Sequence, residues 1–328
     1  MNASLCTDPF GAGSSSEAVP ADAVRLTGDL GDGPLRVVLL GTAAGPYPAP
    51  GRQGAATAVV VGDRVYLVDA GYGALRKYAQ AGLALRDLGG VFVTHLHSDH
   101  VADLFNLLLL GWGPANRGVD HQVRIVGPGP DPRDSSAGTA GLVEHGLSAF
   151  GQDIGVRTRT SPRTHLAKLV QAEDVSVEST PTPVYEDDRI RVLAAAVPHP
   201  PLHLALGFRI ETEHGAVAFS GDTARSRVVA ELAASADILV HEVMDPTYYR
   251  DLGYSPELLD FLAASHTSPQ EVGQVAAEAG VECVALSHIG PPDPRAVTDD
   301  DWERPVRAGF RGRIVVGHDL TRILPTRS

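Results

Sequence analysis

Apolar residues in this chain come in short, dense runs rich in valine, isoleucine and leucine, and most runs close on Gly, Asp or His. Runs of that kind, bounded by turn-forming residues, predict strands rather than helices. Three follow one another from residue 35: LRVVLLGT (35–42), ATAVVVG (56–62) and RVYLVDAG (64–71). The spacing then changes. GALRKYAQAGL carries its apolar residues at helical intervals, after which GVFVTH returns to strand. VADLFNLLLLGW reads as a helix, VRIVGP as a strand and SAGTAGLVEHGLSAFG as a further helix.

Residues 151–188 are mixed, rich in Pro and Thr, and predict only weak elements. Beyond them RIRVLAAAVPH, LALGFRIET and GAVAFSGDT read as strands, RSRVVAELAASA as a helix and DILVHEV as a strand. Residues 245–267 look irregular. SPQEVGQVAAEAG predicts a helix with Ser268 at the N-cap and Pro269 just inside it. VECVALSH and RGRIVVGHD predict the last strands. Two strand-rich halves with interleaved helices imply an α/β (α+β) chain in which two mixed β-sheets pack face to face with helices outside, an αββα sandwich. Residues 35–328 form a single domain on this reading. Residues 1–34, rich in Gly, Ser, Ala and Asp and without periodicity, read as a flexible leader.

Composition narrows the partners more than the fold. Hydrophobic residues at 43% and charged residues at 20% are ordinary for a chain with a sizeable core, and 35 Gly with 24 Pro suit many tight connections. Cys6 and Cys283 do not make a disulfide framework. No apolar run, LFNLLLLGWG included, approaches the roughly 20 residues that span a bilayer, so no membrane partner is expected. The leader lacks the basic and apolar regions of a signal peptide, and a cytoplasmic location is expected. A net charge of −13 argues against a dedicated nucleic-acid binder, because such proteins draw affinity from neutralising phosphates.

The stretch THLHSDH (94–100) places His95, His97, Asp99 and His100 just after the apolar run VFV. Side chains alternate along an extended segment, so His95 and His97 share a side. Where the strand ends, Asp99 and His100 can turn to a second point nearby. These are more donors than one tetrahedral zinc takes once other strands contribute. Two divalent metal ions are therefore expected, Zn2+ first, with Mn2+ or Fe2+ as alternatives. His199 ends RVLAAAVPH, Asp222 ends VAFSGD and His288 ends CVALSH, each a polar donor just past an apolar strand. Strand ends on one rim are where a rigid scaffold can hold ligands. Together these residues complete a set of seven.

The segments LLGTAAGPYPAPGR, LVDAGYG, THLHSDHVADL, VPHPPLHLALGFRI, FSGDT, LVHEV, SHTSPQEVGQVAAEAGV and LSHIGPP resemble the metallo-β-lactamase-fold hydrolases over about residues 35–324. Within them the resemblance is to the ribonuclease Z and arylsulfatase-like branch. It implies His95, His97 and His199 on one metal, Asp99, His100 and His288 on the other, and Asp222 bridging. His203, in the same HPPLH segment, rivals His199; the family spacing to Gly207-Phe208 selects His199 and leaves His203 as a pocket residue. The family's HST-like and HEAT-like motifs correspond to His266 (in HTS) and Glu242 (in HEV). The resemblance thus implies that His266 protonates the leaving alkoxide and that Glu242 orients it, although HEVM departs from HEAT after the Glu. His241 is expected behind the ligands. A hydroxide bridging two metals is a nucleophile at neutral pH, with Asp99 and Asp222 orienting it. The resemblance also implies a homodimer.

The function expected is a binuclear metal-dependent hydrolase that cleaves a phosphodiester or related small ester, aryl sulfates included. One alternative is a ribonuclease Z-like endoribonuclease acting on tRNA 3′ ends. No obvious basic arm supports it: between 163 and 188, Arg163 and Lys168 stand among acidic residues. Another is a lactonase or β-lactamase-like hydrolase, for which SGDT with HTS is the wrong pattern. GTAAGPYPAPGR lacks the Lys-Ser/Thr of a P-loop and is expected to turn at the rim of the site. Trp112 is expected to serve packing. His121, His145, His165, His214 and His318 are expected at the surface or in structural roles, and DDRIR and TDDDWER on solvated faces.

Overall fold

Strand β1 (Leu35–Gly41) shows how the layers arise. Val37 and Leu39 point into one apolar cluster and Val38 and Leu40 into another, so the strand is buried on both faces. A strand of this kind reads as an unbroken apolar run because something covers each side. The computed structural model describes residues 33–113, 118–133 and 136–326. Apart from its last two residues, the leader expected at 1–34 lies outside the described residues.

The first sheet continues with β2 (Ala56–Val61), β3 (Arg64–Val68), β4 (Leu88–Phe92), β5 (Val123–Pro128) and β6 (Val170–Val175). The second holds β7 (Thr182–Glu186), β8 (Ile190–Val197), β9 (Ala205–Thr212), β10 (Gly215–Phe219), β11 (Ile238–Met244), β12 (Cys283–Gly290) and β13 (Arg313–Val316). The last strand, β14 (Thr321–Ile323), returns to the first sheet beside β1. Strand order is β14-β1-β2-β3-β4-β5-β6 in one sheet and β13-β12-β11-β10-β9-β8-β7 in the other. Both sheets are mixed: β3 to β6 run parallel, as do β10 to β13, and the remaining neighbours are antiparallel. Between the sheets Phe92 meets Tyr185 edge-on at 5.1 Å and Phe208 at 5.7 Å.

Helices α1 (Ala74–Gln80), α2 (Ser98–Val101), α3 (Leu104–Leu110), α4 (Thr139–Ala149) and α5 (Gly151–Thr160) belong to the first half. Tyr78, Leu107, Val143 and Ile154 from four of them cover the outer face of the first sheet. The second half has α6 (Arg227–Leu232), α7 (Pro246–Asp251), α8 (Pro256–Ser265), α9 (Pro269–Ala279) and α10 (Asp299–Gly309). Val229, Val272, Val275 and Trp302 cover the outer face of the second sheet. This is the expected αββα sandwich. Among the described residues no helix is long and apolar enough to cross a membrane.

Three stretches differ from expectation, each for a physical reason. Residues 151–188 hold α5, β6 and β7, and the two strands are sheet edges whose polar side chains dilute the apolar signal. Residues 245–267 hold α7 and α8, capped by Asp245 and Ser255 with Pro at the first helical turn. The apolar residues of α8 stay largely outside, so its stripe packs on little: Leu258 and Phe261 are exposed. TDDDWER is solvated only in part. Asp299, Asp300 and Asp301 are exposed, while Trp302 and Val306, four apart on α10, are buried. In DDRIR, Asp187 accepts hydrogen bonds from the hydroxyls of Tyr66 (2.7 Å) and Tyr185 (2.8 Å), which ties the two sheets together.

Candidate metal centre

The parallel strands β3, β4, β10 and β12 end on one rim, joined there by β8, and each delivers a polar side chain just past its apolar run. His95 follows β4, His199 follows β8 and Asp222 follows β10. Asp99 and His100 sit in the first turn of α2, which begins as soon as the His95–His97 segment ends. His288 reaches the rim differently. Ser287 pairs with Glu242 and Ile289 with Val243, which leaves His288 as the extra residue of a β-bulge at φ 42. Bulges beside active sites re-aim a side chain in this way.

The seven expected ligands come together. Nε2 of His95 lies 2.9 Å from Nδ1 of His97, and Nε2 of His199 lies 3.4 Å from the same atom. On the other side Nε2 of His288 is 3.4 Å, and Nε2 of His100 3.6 Å, from Oδ2 of Asp99. Oδ2 of Asp222 stands between the two groups, 3.2 Å from His288, 3.4 Å from His100, 3.8 Å from His95 and 4.0 Å from His199. The donor atoms of His95, His97 and His199 lie within 4.8 Å of one another, as do those of Asp99, His100 and His288. Three nitrogens facing one point, two nitrogens and a carboxylate facing another, and the Asp222 carboxylate between them suit two divalent cations.

Two further observations bear on that fit. His100 Nε2 and Asp222 Oδ1 are buried without a hydrogen-bond partner, and each such atom costs about 1–3 kcal/mol unless something else satisfies it. The protonation states of most of the ligands also suit coordination. His100 differs, because burial is outweighed by Asp222 and Asp69, which hold its ring above the usual imidazole range with a proton that a cation would displace. Burial holds His95 and His97 below the usual imidazole range, and lowers His199 to about 4 against the pull of Asp222. These are the neutral rings a cation takes. Burial opposes the charge on Asp99, yet His288 and His100 bring it down to about 2. Asp222, equally opposed by burial, is driven well below the usual carboxylate range by His288 and His100. Both carboxylates stay anionic.

His266 and Glu242 form a second unit beside the ligands. His266 Nδ1 is 3.0 Å from Oε1 of Glu242, which also accepts from the Thr223 N–H at 2.9 Å. Burial works against an imidazolium here, but the Glu242 carboxylate more than offsets it and raises His266 to about 9. The His266 ring stacks on His288 at 5.8 Å and meets His199 at 5.2 Å. With Nδ1 occupied by Glu242, the free edge of the ring is Nε2.

Comparison with known proteins bears on this site. Residues 64–289 match the family described as Beta-lactamase superfamily domain. The chain belongs to the beta-lactamase superfamily. Among curated relatives, "Ribonuclease Z" from Mycobacterium bovis is 35% identical over 296 residues, covering 88% of this chain and 98% of the relative. "Ribonuclease Z" from Mycobacterium tuberculosis strain H37Rv is 34% identical, covering 88% and 97%. Human tRNase Z, short form, has the same fold at TM-score 0.61 and 18% identity, covering 88% of this chain and 99% of that one. Zn(2+)-bound PqqB from Methylobacterium extorquens superposes at TM-score 0.59 and 17% identity, covering 88% and 99%. As a superfamily member on the ribonuclease Z branch, this chain is a hydrolytic enzyme with His/Asp clusters able to bind metal.

The superfamily site also contains residues that sequence reasoning passed over. Asp69, just after β3, accepts from His100 Nδ1 (2.8 Å), the Thr94 N–H (2.8 Å) and the Thr94 hydroxyl (2.8 Å). It fixes the His100 ring with Nε2 toward Asp222, the role that a carboxylate behind a metal-binding imidazole plays. Its signal was present in LVDAG, an Asp past an apolar strand like the other ligands. The loop GTAAGPYPAPGR does meet the site: a Cβ on Gly45 would lie 2.1 Å from Asp99 Oδ2. His203 lies outside the cluster and lines a cavity beside His97. His241 is buried on the face of β11 that it shares with Leu239 and Val243, toward the outer helices rather than behind the ligands, and burial lowers it to about 4.

Proposed function

We propose that this chain is a binuclear metal-dependent phosphodiesterase and that its substrate is RNA, cut at the 3′ end of a precursor tRNA. The observation that carries the reading is the Glu242–His266 pair set against the metal cluster. An aryl oxide leaves without help, whereas a ribose oxygen is a poor leaving group and needs a proton as its bond to phosphorus breaks. A half-buried imidazolium beside the ligands would supply that proton. The pair therefore favours a sugar phosphodiester over an aryl sulfate, and the relatives named Ribonuclease Z support the same substrate class.

In this reading His95, His97 and His199 would hold one cation and Asp99, His100 and His288 the other, with the Asp222 carboxylate standing between the two groups. Two divalent cations, zinc by the donor set, supply a nucleophile at neutral pH and neutralise charge on the phosphate oxygens. Asp69 keeps His100 in its ligating orientation. Asp99 and Asp222 accept hydrogen bonds from the attacking water and orient it. His266 passes its Nε2 proton to the departing oxygen while Glu242 holds the ring. A small phosphodiester is the second reading, and the net charge of −13 favours it because RNA binding gains from basic surface. We also infer a homodimer and a cytoplasmic location, the first from family resemblance alone.

The test is turnover by the zinc-loaded protein of a precursor tRNA, a small alkyl phosphodiester and an aryl sulfate in parallel, with Asp99→Ala as control. Cleavage at the tRNA 3′ trailer, lost in Asp99→Ala, supports the first reading. Turnover of the small diester with tRNA left intact supports the second. Aryl sulfate cleavage alone contradicts both.

A further inference from the structure

A cavity of about 500 Å³ opens beside His97 and has no part in the chemistry above. That volume is within the range of sites that enclose a small organic group. Its walls come from separate segments: Leu96 after β4, Pro128, Gly129 and Asp131 at the end of β5, Ser136 and Ala137 before α4, Leu142 and His145 on α4, and Leu202 to Leu204 between β8 and β9. His97 is the one expected ligand among the lining residues, so the cavity meets the metal centre on its His97 flank. The proton donor is elsewhere. His266 packs on His199 and His288, neither of which lines the cavity. In a roughly in-line displacement the leaving oxygen lies with its proton donor. The cavity is thus placed for the ester group that stays on phosphorus.

Its chemistry narrows what that group is. Leu96, Leu142, Leu202 and Leu204 make it apolar, and the imidazoles of His145 and His203 stand at its walls. Asp131 brings the only carboxylate among the lining residues, held by Arg133, whose guanidinium also donates to the Pro201 carbonyl at 2.8 Å and joins two of the walls. No Lys or Arg is among the lining residues, so a second phosphate would meet the Asp131 carboxylate without a permanently charged cation among the lining residues to offset it. An aliphatic chain would cover the leucines and leave both imidazoles unused. A flat ring does both, since it buries its faces on leucine and stacks on or meets imidazole edge-on.

We propose that this cavity binds a planar aromatic ring on the retained side of the scissile phosphate, and so selects the substrate. The inference rests on the phosphodiesterase reading and adds the group next to the cut. An aryl ester and a nucleobase both present such a ring, and the test separates them. Three diesters share a 4-nitrophenolate leaving group and differ in the retained group: methyl, phenyl or 5′-thymidine. The kcat/KM ratio of each ring diester to the methyl diester is measured for the zinc-loaded wild type, for Leu142→Trp, which fills the cavity, and for His145→Ala/His203→Ala. Both of those histidines are exposed, so the double variant spares the core.

The ring-to-methyl ratio is expected to fall at least tenfold in both variants. A larger fall for thymidine identifies a nucleobase subsite and a larger fall for phenyl an aryl subsite. Ratios unmoved by either variant overturn the proposal. Calorimetric binding of phenyl phosphate and thymidine 5′-monophosphate, against methyl phosphate, reads the cavity without turnover. Ring ligands binding at least tenfold tighter in the wild type only uphold the cavity even when no diester is cleaved, and then the phosphodiesterase reading alone fails. Equal dissociation constants for ring and methyl ligands overturn the cavity proposal whatever the turnover.

Discussion

At Glu242 and His266 one hydrogen bond of 3.0 Å decides how the site handles its leaving group. His266→Ala is expected to lower kcat on an alkyl or ribose leaving group by about 10²–10⁴-fold, the usual worth of general acid catalysis. On a 4-nitrophenyl diester the same change should cost little, because that oxygen departs unprotonated. Equal losses on both substrates would show that His266 serves the metals instead. Asp69 acts one step further back. Asp69→Asn keeps the shape but removes the anion that holds His100 and Thr94, and zinc affinity is expected to fall about 10–100-fold, read by competition with a chromogenic chelator. Gly45 is narrower still: any side chain there enters the space of the Asp99 carboxylate.

Elements matter here for where they begin and end. The N-cap of helix α9, Ser268, lies two residues after His266, and its capping box pairs Ser268 with Glu271. Ser268→Ala is expected to cost about 1 kcal/mol in urea unfolding, since one helix-end donor loses its acceptor. The turn between β7 and β8 carries Asp187, which the hydroxyls of Tyr66 and Tyr185 reach from both sheets. Burial opposes the Asp187 carboxylate, but these donors and the backbone N–H groups of Arg189 and Ile190 hold it below the usual range. A depressed folded value means the contribution is complete above the unfolded carboxylate value of about 3.9 and is lost as pH falls through the folded one. Asp187→Asn should therefore flatten the acid limb of a stability profile taken between pH 5 and pH 2. An unchanged acid limb would mean the carboxylate is not linked to folding.

For the molecule as a whole, the cluster is a stability device as well as a site. Two ligand groups gathered from the ends of β4, β8 and β12, with a buried anion at Asp222, carry a cost that bound cations would remove. Zinc at about 100 times its dissociation constant is expected to add about 2.7 kcal/mol, and a chelator to lower the thermal midpoint correspondingly. A midpoint indifferent to zinc and chelator would count against the ligand set. Loss of Trp302, which fixes α10 to the second sheet, should cost about 3–5 kcal/mol without changing zinc stoichiometry.

Much of this was legible in the chain alone. Strands buried on both faces announce themselves as dense apolar runs, and ligands placed directly after such runs could be read by position, which is why His95, His97, Asp99, His100, His199, Asp222 and His288 were expected together. The edge strands β6 and β7 and the lightly packed helices α7 and α8 were not legible, because elements with one open face need few apolar residues to mark them. What only the tertiary structure decided is direction. Alternation along β12 does not reveal that a bulge turns His288 toward Asp222, since bulges arise from pairing between strands. The same holds for Asp69 behind His100, and for a cavity whose walls join α4 to a loop more than fifty residues away. Residue type and spacing set which groups could bind metal; the packing of two sheets set which way each one points.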